Sequence, residues 1–408
     1  MMDQSFYSRA RQTVWFMLSF AVMACHHGQS DHDSQDDQKT PSPSYKVVGY
    51  VAGYRDLDFE TIQADKLTHI NYAFANVIDG KVAFGTPETT IDDTELNSTD
   101  LLELQALKQK NPDLKILVSV GGWTWSGHFS DVAFTEETRK RFAASAVDFL
   151  KEYQLDGIDI DWEYPGQIGA GNTYREEDKR NFTLLLKEVR HHLDIQSKED
   201  HRNGEDKYLL TIATGADTAY FKHTNLAEAH QYLDFINIMA YDFHNGLHHQ
   251  TGHHANLKRS GQPGATDLNV MEAVDRHIQA GVPVIKLNLG IPFYGRMWYG
   301  VKNYNKGLYQ NAESTGSIIY YRVLSESYIN TNGFERFYDS SAQAPYLWHA
   351  DSAIFISYED RPSILNKMKI LKNRGMGGVM FWEYSDDYES QLLNAIIDGL
   401  YNNSNDHE

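Results

Sequence analysis

The chain has 408 residues, of which 41% are hydrophobic, 23% charged and 12% aromatic, a globular mixture too apolar for a disordered chain. Its 37 Lys and Arg stand against 56 Asp and Glu, a net charge of −19, so most of the surface repels a phosphate backbone and nucleic acid is not expected as a partner. A single cysteine excludes an internal disulfide and any Cys-rich zinc or iron–sulfur site.

That cysteine, Cys25, closes the first long apolar run, Thr13 to Ala24, which follows Arg9 and Arg11. About a dozen apolar residues are too few for a membrane span of ~20 but suit a secretory leader. Residues 1–24 are therefore expected to be a signal peptide. The run Val22-Met23-Ala24-Cys25 resembles a bacterial lipobox, with Met23 bulkier than usual, and implies a lipid on the Cys25 thiol and a membrane anchor. Ordinary cleavage after Ala24, leaving a free thiol, is the alternative. The protein is expected to be secreted across the inner membrane, and His26 in place of an Asp after Cys25 directs the anchor to the outer membrane or cell surface. Residues 25–44 are polar, acidic and Pro/Ser-bearing, the composition of a disordered tether.

From residue 45 to 402, short apolar runs alternate with helix-period segments, the pattern of repeated βα units. Eight runs read as strands: Lys46–Val51, His69–Val77, Lys115–Val120, Gly157–Asp161, Leu209–Thr214, Phe235–Ala240, Leu287–Ile291 and Gly377–Trp382. Nearly continuous apolarity suits strands buried on both faces. Helices are predicted near 59–67, 101–110, 136–153, 176–193, 225–232, 269–280, 362–374 and 390–401; the third places Phe142, Ala146, Phe149 and Leu150 on one stripe. The predicted fold class is α/β, a (β/α)8 TIM barrel; an open doubly wound sheet lacks its Gly-rich phosphate loop here. Roughly seventy residues separate the seventh strand from the next helix, too many for an ordinary loop. Rich in aromatics such as Tyr320, Tyr321, Tyr346 and Trp348, with strand-like SIIYYRV and AIFISY, residues 297–358 are expected to form a small α+β insertion domain walling a groove.

The fourth strand carries the chemistry, in Asp156-Gly-Ile-Asp159-Ile-Asp161-Trp-Glu163-Tyr-Pro. Asp159, Asp161 and Glu163 alternate with Ile158, Ile160 and Trp162, so a period of two aims all three carboxyls at the barrel interior and its mouth. Like charges so close cannot all ionise, and a raised pKa is what a general acid working near neutral pH requires.

This run resembles the DxxDxDxE signature of glycoside hydrolase family 18, the chitinases. Ser119-Val-Gly-Gly122 is similar to the family's SxGG, Met239-Ala-Tyr241-Asp242-Phe-His to its MxYDFH, and Thr251-Gly-His-His254 to the following loop. Gly290 to Arg296 and the run from Gly377 match the last two strands, so the resemblance spans about Val47 to Trp382. It implies that Glu163 protonates the glycosidic oxygen, and that Asp161 turns to it and polarises the sugar's N-acetyl group, with Asp159 sharing a proton beneath. The substrate's acetamido oxygen is then the nucleophile. Tyr241 would bond that acetamido group, Trp382 would form the floor under the cleaved sugar, and Asp242, Met239, Tyr294 and Arg296 would line the pocket. Tyr50 and Phe74 would complete its base and Trp123 would stack a sugar further along. Asp156 and Ser119 are assigned to support, through backbone or Asp159.

His248, His249, His253 and His254 invite a metal reading, but no HExxH accompanies them and the family loop already accounts for the last two; no metal and no cofactor are expected. The implied activity is hydrolysis of β-linked N-acetylglucosamine, with chitin or its oligomers as partner and the protein acting as a monomer. An endo-β-N-acetylglucosaminidase on glycoproteins and a chitin-binding lectin are the alternatives.

Overall fold

The computed structural model describes residues 45–55, 57–85, 91–387 and 389–402, the side chains of 91–97 excepted. The expected leader, Cys25 and the tether lie outside the described residues. Eight parallel strands close on themselves: Lys46–Ala52, His69–Ile78, Lys115–Gly121, Gly157–Asp161, Leu209–Thr214, Phe235–Ile238, Leu287–Pro292 and Gly378–Trp382. The first pairs with both the second and the eighth, so no barrel edge is left open, and the eight are numbered here in that order. A short ninth strand, Lys81–Ala83, folds back on the second.

Two apolar layers explain the continuous runs. One lies between strands and helices; the other fills the barrel with Val48, Tyr50, Leu117, Leu209, Phe235 and Met380. Helix Glu136–Glu152 starts where the Thr135 and Thr138 side chains cap each other's backbone, and it buries the expected stripe of Phe142, Ala146, Phe149 and Leu150. Helix Arg361–Arg374 starts the same way at Asp360 and ends at Gly375, whose φ of 68° suits glycine. No described helix is long and apolar enough to cross a membrane.

Three local expectations fail. The predicted helix 59–67 is two separate 3-10 turns, because Asp58 caps Glu60 and Gln63 leaves the helical region at ψ 72°. Residues 225–232 form only one α-turn, Leu226–Ala229, and a 3-10 turn. SIIYYRV is a strand only through Tyr320; Tyr321–Ser327 is a helix burying Tyr321 and Leu324, a spacing of three that the aromatic run concealed.

After the seventh strand the chain builds a second, antiparallel sheet of five strands in the order Ser317–Tyr320, Tyr294–Trp298, Ile354–Ser357, Ala344–His349 and Glu335–Asp339. It begins at Tyr294 rather than 297. Trp298, Leu308, Tyr309, Tyr346, Trp348 and Phe355 give it a core of its own. Its other face, with Met297, Ile319, Leu347 and Ile356, joins the main apolar core of the barrel, and polar contacts add to that attachment. Phe293 donates its backbone N–H to the Trp382 carbonyl at 2.7 Å and accepts from Tyr321 at 3.0 Å. Where the sheet rejoins the barrel, Lys367 and Glu359 form a buried ion pair of 2.5 Å, with Lys367 also donating to the Ala255 carbonyl and Ser363 to Glu359.

Lys367→Met should lower unfolding stability by ~3–5 kcal/mol, since Glu359 is then buried without a counter-charge, whereas adding Glu359→Leu should restore most of the loss. Urea unfolding followed by tryptophan fluorescence measures both. A loss below about 1 kcal/mol would mean that the pair behaves as a solvated one.

Candidate active site

The fourth strand pairs Ser119 with Asp159 and Asp159 with Thr211 across its two neighbours, which puts three inward side chains at one level. Asp159 is fully buried and accepts hydrogen bonds from the hydroxyls of Tyr50 (2.7 Å), Ser119 (2.8 Å) and Thr211 (2.5 Å). Behind Tyr50, Asn288 donates to Asn237 at 3.0 Å and Asn237 to the Tyr50 hydroxyl at 3.4 Å. Burial pushes the Asp159 pKa up, and the hydroxyl donors oppose that shift.

Asp161 sits two residues further up the strand, 4% exposed, and its Oδ1 is buried with no hydrogen-bond partner. Burial, then the charges of Glu163 and Asp159, push its pKa well above the carboxylate range. Glu163, at the mouth, is partly exposed. Burial is again the chief cause that raises it, to about 7, with Asp242 adding to the rise and Tyr164 opposing it.

A second set of groups surrounds Asp242 on the sixth strand's loop. Arg296 clamps its two oxygens at 2.7 and 2.6 Å, and Tyr294 donates to it at 2.8 Å. Burial disfavours the charge, but His254 and Arg296 outweigh it and hold Asp242 well below the usual carboxylate range. Tyr294 is 5% exposed, so it acts through Asp242 rather than as pocket lining. Tyr241 is partly exposed, and its hydroxyl makes only a long contact to the Met380 sulfur at 4.0 Å, which leaves it a donor for a ligand. Met239 is partly exposed beside it.

Trp382 ends the eighth strand with one face on Phe74, ring centroids 5.4 Å apart and 19° from parallel, and with Tyr50 5.5 Å away and tilted by 52°. Phe74 and Tyr50 are therefore the support beneath the tryptophan; Tyr50, 2% exposed and bonded to Asp159, cannot reach a ligand as expected of a base residue. Trp123 is 47% exposed, on the short helix Gly122–Trp125. That helix needs two glycines. A Cβ on Gly121, at φ 109°, would lie 2.3 Å from the Asp161 carbonyl, and one on Gly122 would strike the Phe74 ring. Asp156 lies at the opposite end of the strand, where it binds Lys108 (2.6 Å), Arg202 (2.8 Å) and the Ile116 N–H (2.8 Å), and not Asp159. His253 faces Asp339 at 3.3 Å and His254 faces Asp242 at 3.8 Å, so the two buried histidines of that loop serve different carboxylates.

Residues 46–387 match the family described as Glycosyl hydrolases family 18. The chain belongs to that family. It is 40% identical to chitinase A1 of Niallia circulans over 86% of this chain, and spans 58% of that relative's length. With chitinase B of Serratia marcescens it shares 31% identity, over 83% of this chain and 76% of the other. Among solved structures it is similar to a family 18 N-acetylglucosaminidase of Paenibacillus barengoltzii, with a TM-score of 0.79 and 43% identity over 87% of this chain and the whole of that one.

Several site groups of this family member escaped the sequence reading. Thr211 could have been found, as a hydroxyl at an inward position of an apolar strand. Ser126 could not: it donates to the Asp161 carbonyl at 3.0 Å and accepts the Glu163 N–H at 2.9 Å, from a loop without periodicity.

Proposed function

We propose that the protein is a chitinase, which hydrolyses β-1,4-linked N-acetylglucosamine chains with retention through participation of the substrate's own acetamido group. The observation that carries this is Glu163 at the end of the fourth strand, its pKa raised by burial to about 7, next to Asp161, whose Oδ1 has no hydrogen-bond partner. Asp242 is the carboxylate from another strand that acts on Glu163 electrostatically, and Arg296 and Tyr294 occupy its oxygens. No carboxylate of the described site is thus left to attack across the scissile bond, which favours a nucleophile supplied by the sugar.

In the first step the sugar packs on Trp382, and Tyr241 and Asp161 hold its acetamido group. The acetamido oxygen forms a bond to the anomeric carbon as the glycosidic C–O bond breaks, and the Glu163 proton goes to the departing oxygen. Water then attacks the anomeric carbon with Glu163 as base, reopening the oxazolinium ring and restoring the proton to Glu163. Asp159 stays beneath as a fixed, hydroxyl-bonded group that disfavours a charge on Asp161. A poised acid speaks for turnover rather than a lectin, and a wall of insertion domain suits a linear chain better than a branched glycan. Digestion of chitin oligomers beside a high-mannose glycoprotein separates these readings.

Because the acid must carry its proton, kcat/KM should be retained below the Glu163 pKa and fall as pH rises through about 7. Glu163→Gln should lower turnover by ~10² to 10⁴ and abolish that limb in what remains. A folded Glu163→Gln enzyme with unaltered kcat would remove Glu163 from the mechanism.

Acetamido participation has its own test. Partially deacetylated chitosan digested to completion should carry N-acetylglucosamine at its new reducing ends, and the first product should be the β-anomer by NMR. Frequent glucosamine at those ends would mean attack by a protein carboxylate or water.

The proposal extends to location: a secreted lipoprotein anchored through Cys25, supported by the apolar run, the small Ala24 and the lone cysteine. Labelled palmitate should enter the wild-type protein in cells and not Cys25→Ser, which should leave the membrane fraction. Soluble wild type with a free thiol would overturn the anchor.

A further inference from the structure

We propose that Asp178 is a positioning residue for the acid: it ties off the loop of residues 166–175, and the tied loop holds the backbone of Glu163 in place. This rests on the chitinase reading above only through the role given there to Glu163.

Glu163 needs such a support. The fourth strand's ladder ends at Asp161, paired with Gly121, and at Ile160, paired with Ile212. Glu163 lies two residues beyond the strand, so no ladder partner fixes its orientation. Its N–H is taken by Ser126 at 2.9 Å. Its carbonyl lies against the loop that follows: a Cβ on Gly169 would lie 2.4 Å from that oxygen. A glycine is what lets the loop fold back this closely.

What keeps the loop folded back is one carboxylate. Asp178, the first residue of helix Asp178–Glu199, is fully buried. One of its oxygens accepts the N–H groups of Gly166 at 3.1 Å and Arg175 at 2.8 Å, the two ends of the loop. The other accepts the Ser130 hydroxyl at 2.7 Å. Ser130 also accepts from the Arg175 guanidinium at 2.6 Å, which reaches Asp131 at 2.6 Å and lies 5.0 Å from the centre of the Phe134 ring. Inside the loop, Asn172 accepts the Gly169 N–H at 2.5 Å and donates to the Gln167 carbonyl at 2.9 Å, and Thr173 donates its N–H to the Gly127 carbonyl at 3.2 Å. Ser126 and Ser130 thus stand four residues apart on one segment. One holds the acid's N–H, and the other holds the tie of the loop that packs on its carbonyl. A buried carboxylate with three donors is a strong tie, and a displacement of ~1 Å in a reacting group costs ~10²-fold in rate.

The test has two readouts, hydrogen exchange of residues 166–175 and the pH profile of kcat/KM on a chitin hexamer. Asp178→Ala should speed exchange in the loop and lower kcat ~10- to 100-fold, with KM changed less. Because an opened loop lets water reach Glu163, the alkaline limb should move down from about 7 by roughly one pH unit. The titratable groups that face Glu163 are Asp161, Asp242, Tyr164 and Tyr241, and none is altered by these variants, so the limb reports on the loop. Asp178→Asn should rescue, since its carbonyl oxygen takes both N–H groups and its amide donates to Ser130. Gly169→Ala leaves the tie intact but drives a methyl group into the Glu163 carbonyl; it should lower kcat and move the limb the same way, and it serves if the Asp178→Ala chain does not fold. Unchanged kcat and an unmoved limb in either folded alanine variant, or an Asp178→Asn enzyme as impaired as Asp178→Ala, would overturn the proposal. A wild type that cuts no chitin oligomer would overturn the chitinase reading and the catalytic role with it, whereas unchanged loop exchange in Asp178→Ala would overturn the tie alone.

Discussion

Three carboxyls carried at alternate positions on one strand inside a barrel set the terms for the rest of the molecule. An isolated carboxylate loses several kcal/mol on leaving water, and here three leave together. Each is accommodated differently. Asp159 takes three hydroxyl donors, backed by an amide chain through the barrel. Asp161 gains no bond at its buried Oδ1 and is held near its proton. Glu163 reaches the mouth and shares part of the cost with solvent. The negative charge that this site does keep permanently is on Asp242, where Arg296 and Tyr294 neutralise it in place. Charge and proton are thus segregated onto different strands, which is how one pocket can both hold an acid and orient a polar ligand.

The second sheet is more than an appendage to this pocket. It supplies Tyr294 and Arg296 to Asp242 from its first strand and bonds the Trp382 carbonyl through Phe293. Its strand Tyr294–Trp298 leaves the barrel two residues after Pro292, so the residues that clamp Asp242 are set by the barrel's own register.

Much of this was written in the chain, for reasons that can be named. Strands buried on both faces read as apolar runs, and the eight of them appeared in order. Period two aimed the carboxyls of Asp159, Asp161 and Glu163 inward. Side chains that act across the barrel were less legible. Tyr50 looked like pocket lining and proved to be a buried donor to Asp159, because nothing local distinguishes a strand-end tyrosine that points down from one that points up. Tyr294 looked like lining and serves Asp242. Asp156 shares the motif yet faces the far end, where Lys108 and Arg202 from distant segments claim it. The helix at Tyr321 was hidden for a related reason: an aromatic run satisfies both a period of two and a period of three or four.

The buried Lys367–Glu359 pair gives the molecule a particular response to heat. Hydration of charged groups carries a strongly negative entropy, so the penalty for keeping this pair dry shrinks as temperature rises, while apolar burial gains little more per unit area. This one contact between the inserted sheet and the barrel therefore gains, on warming, relative to the apolar core that the two share around it.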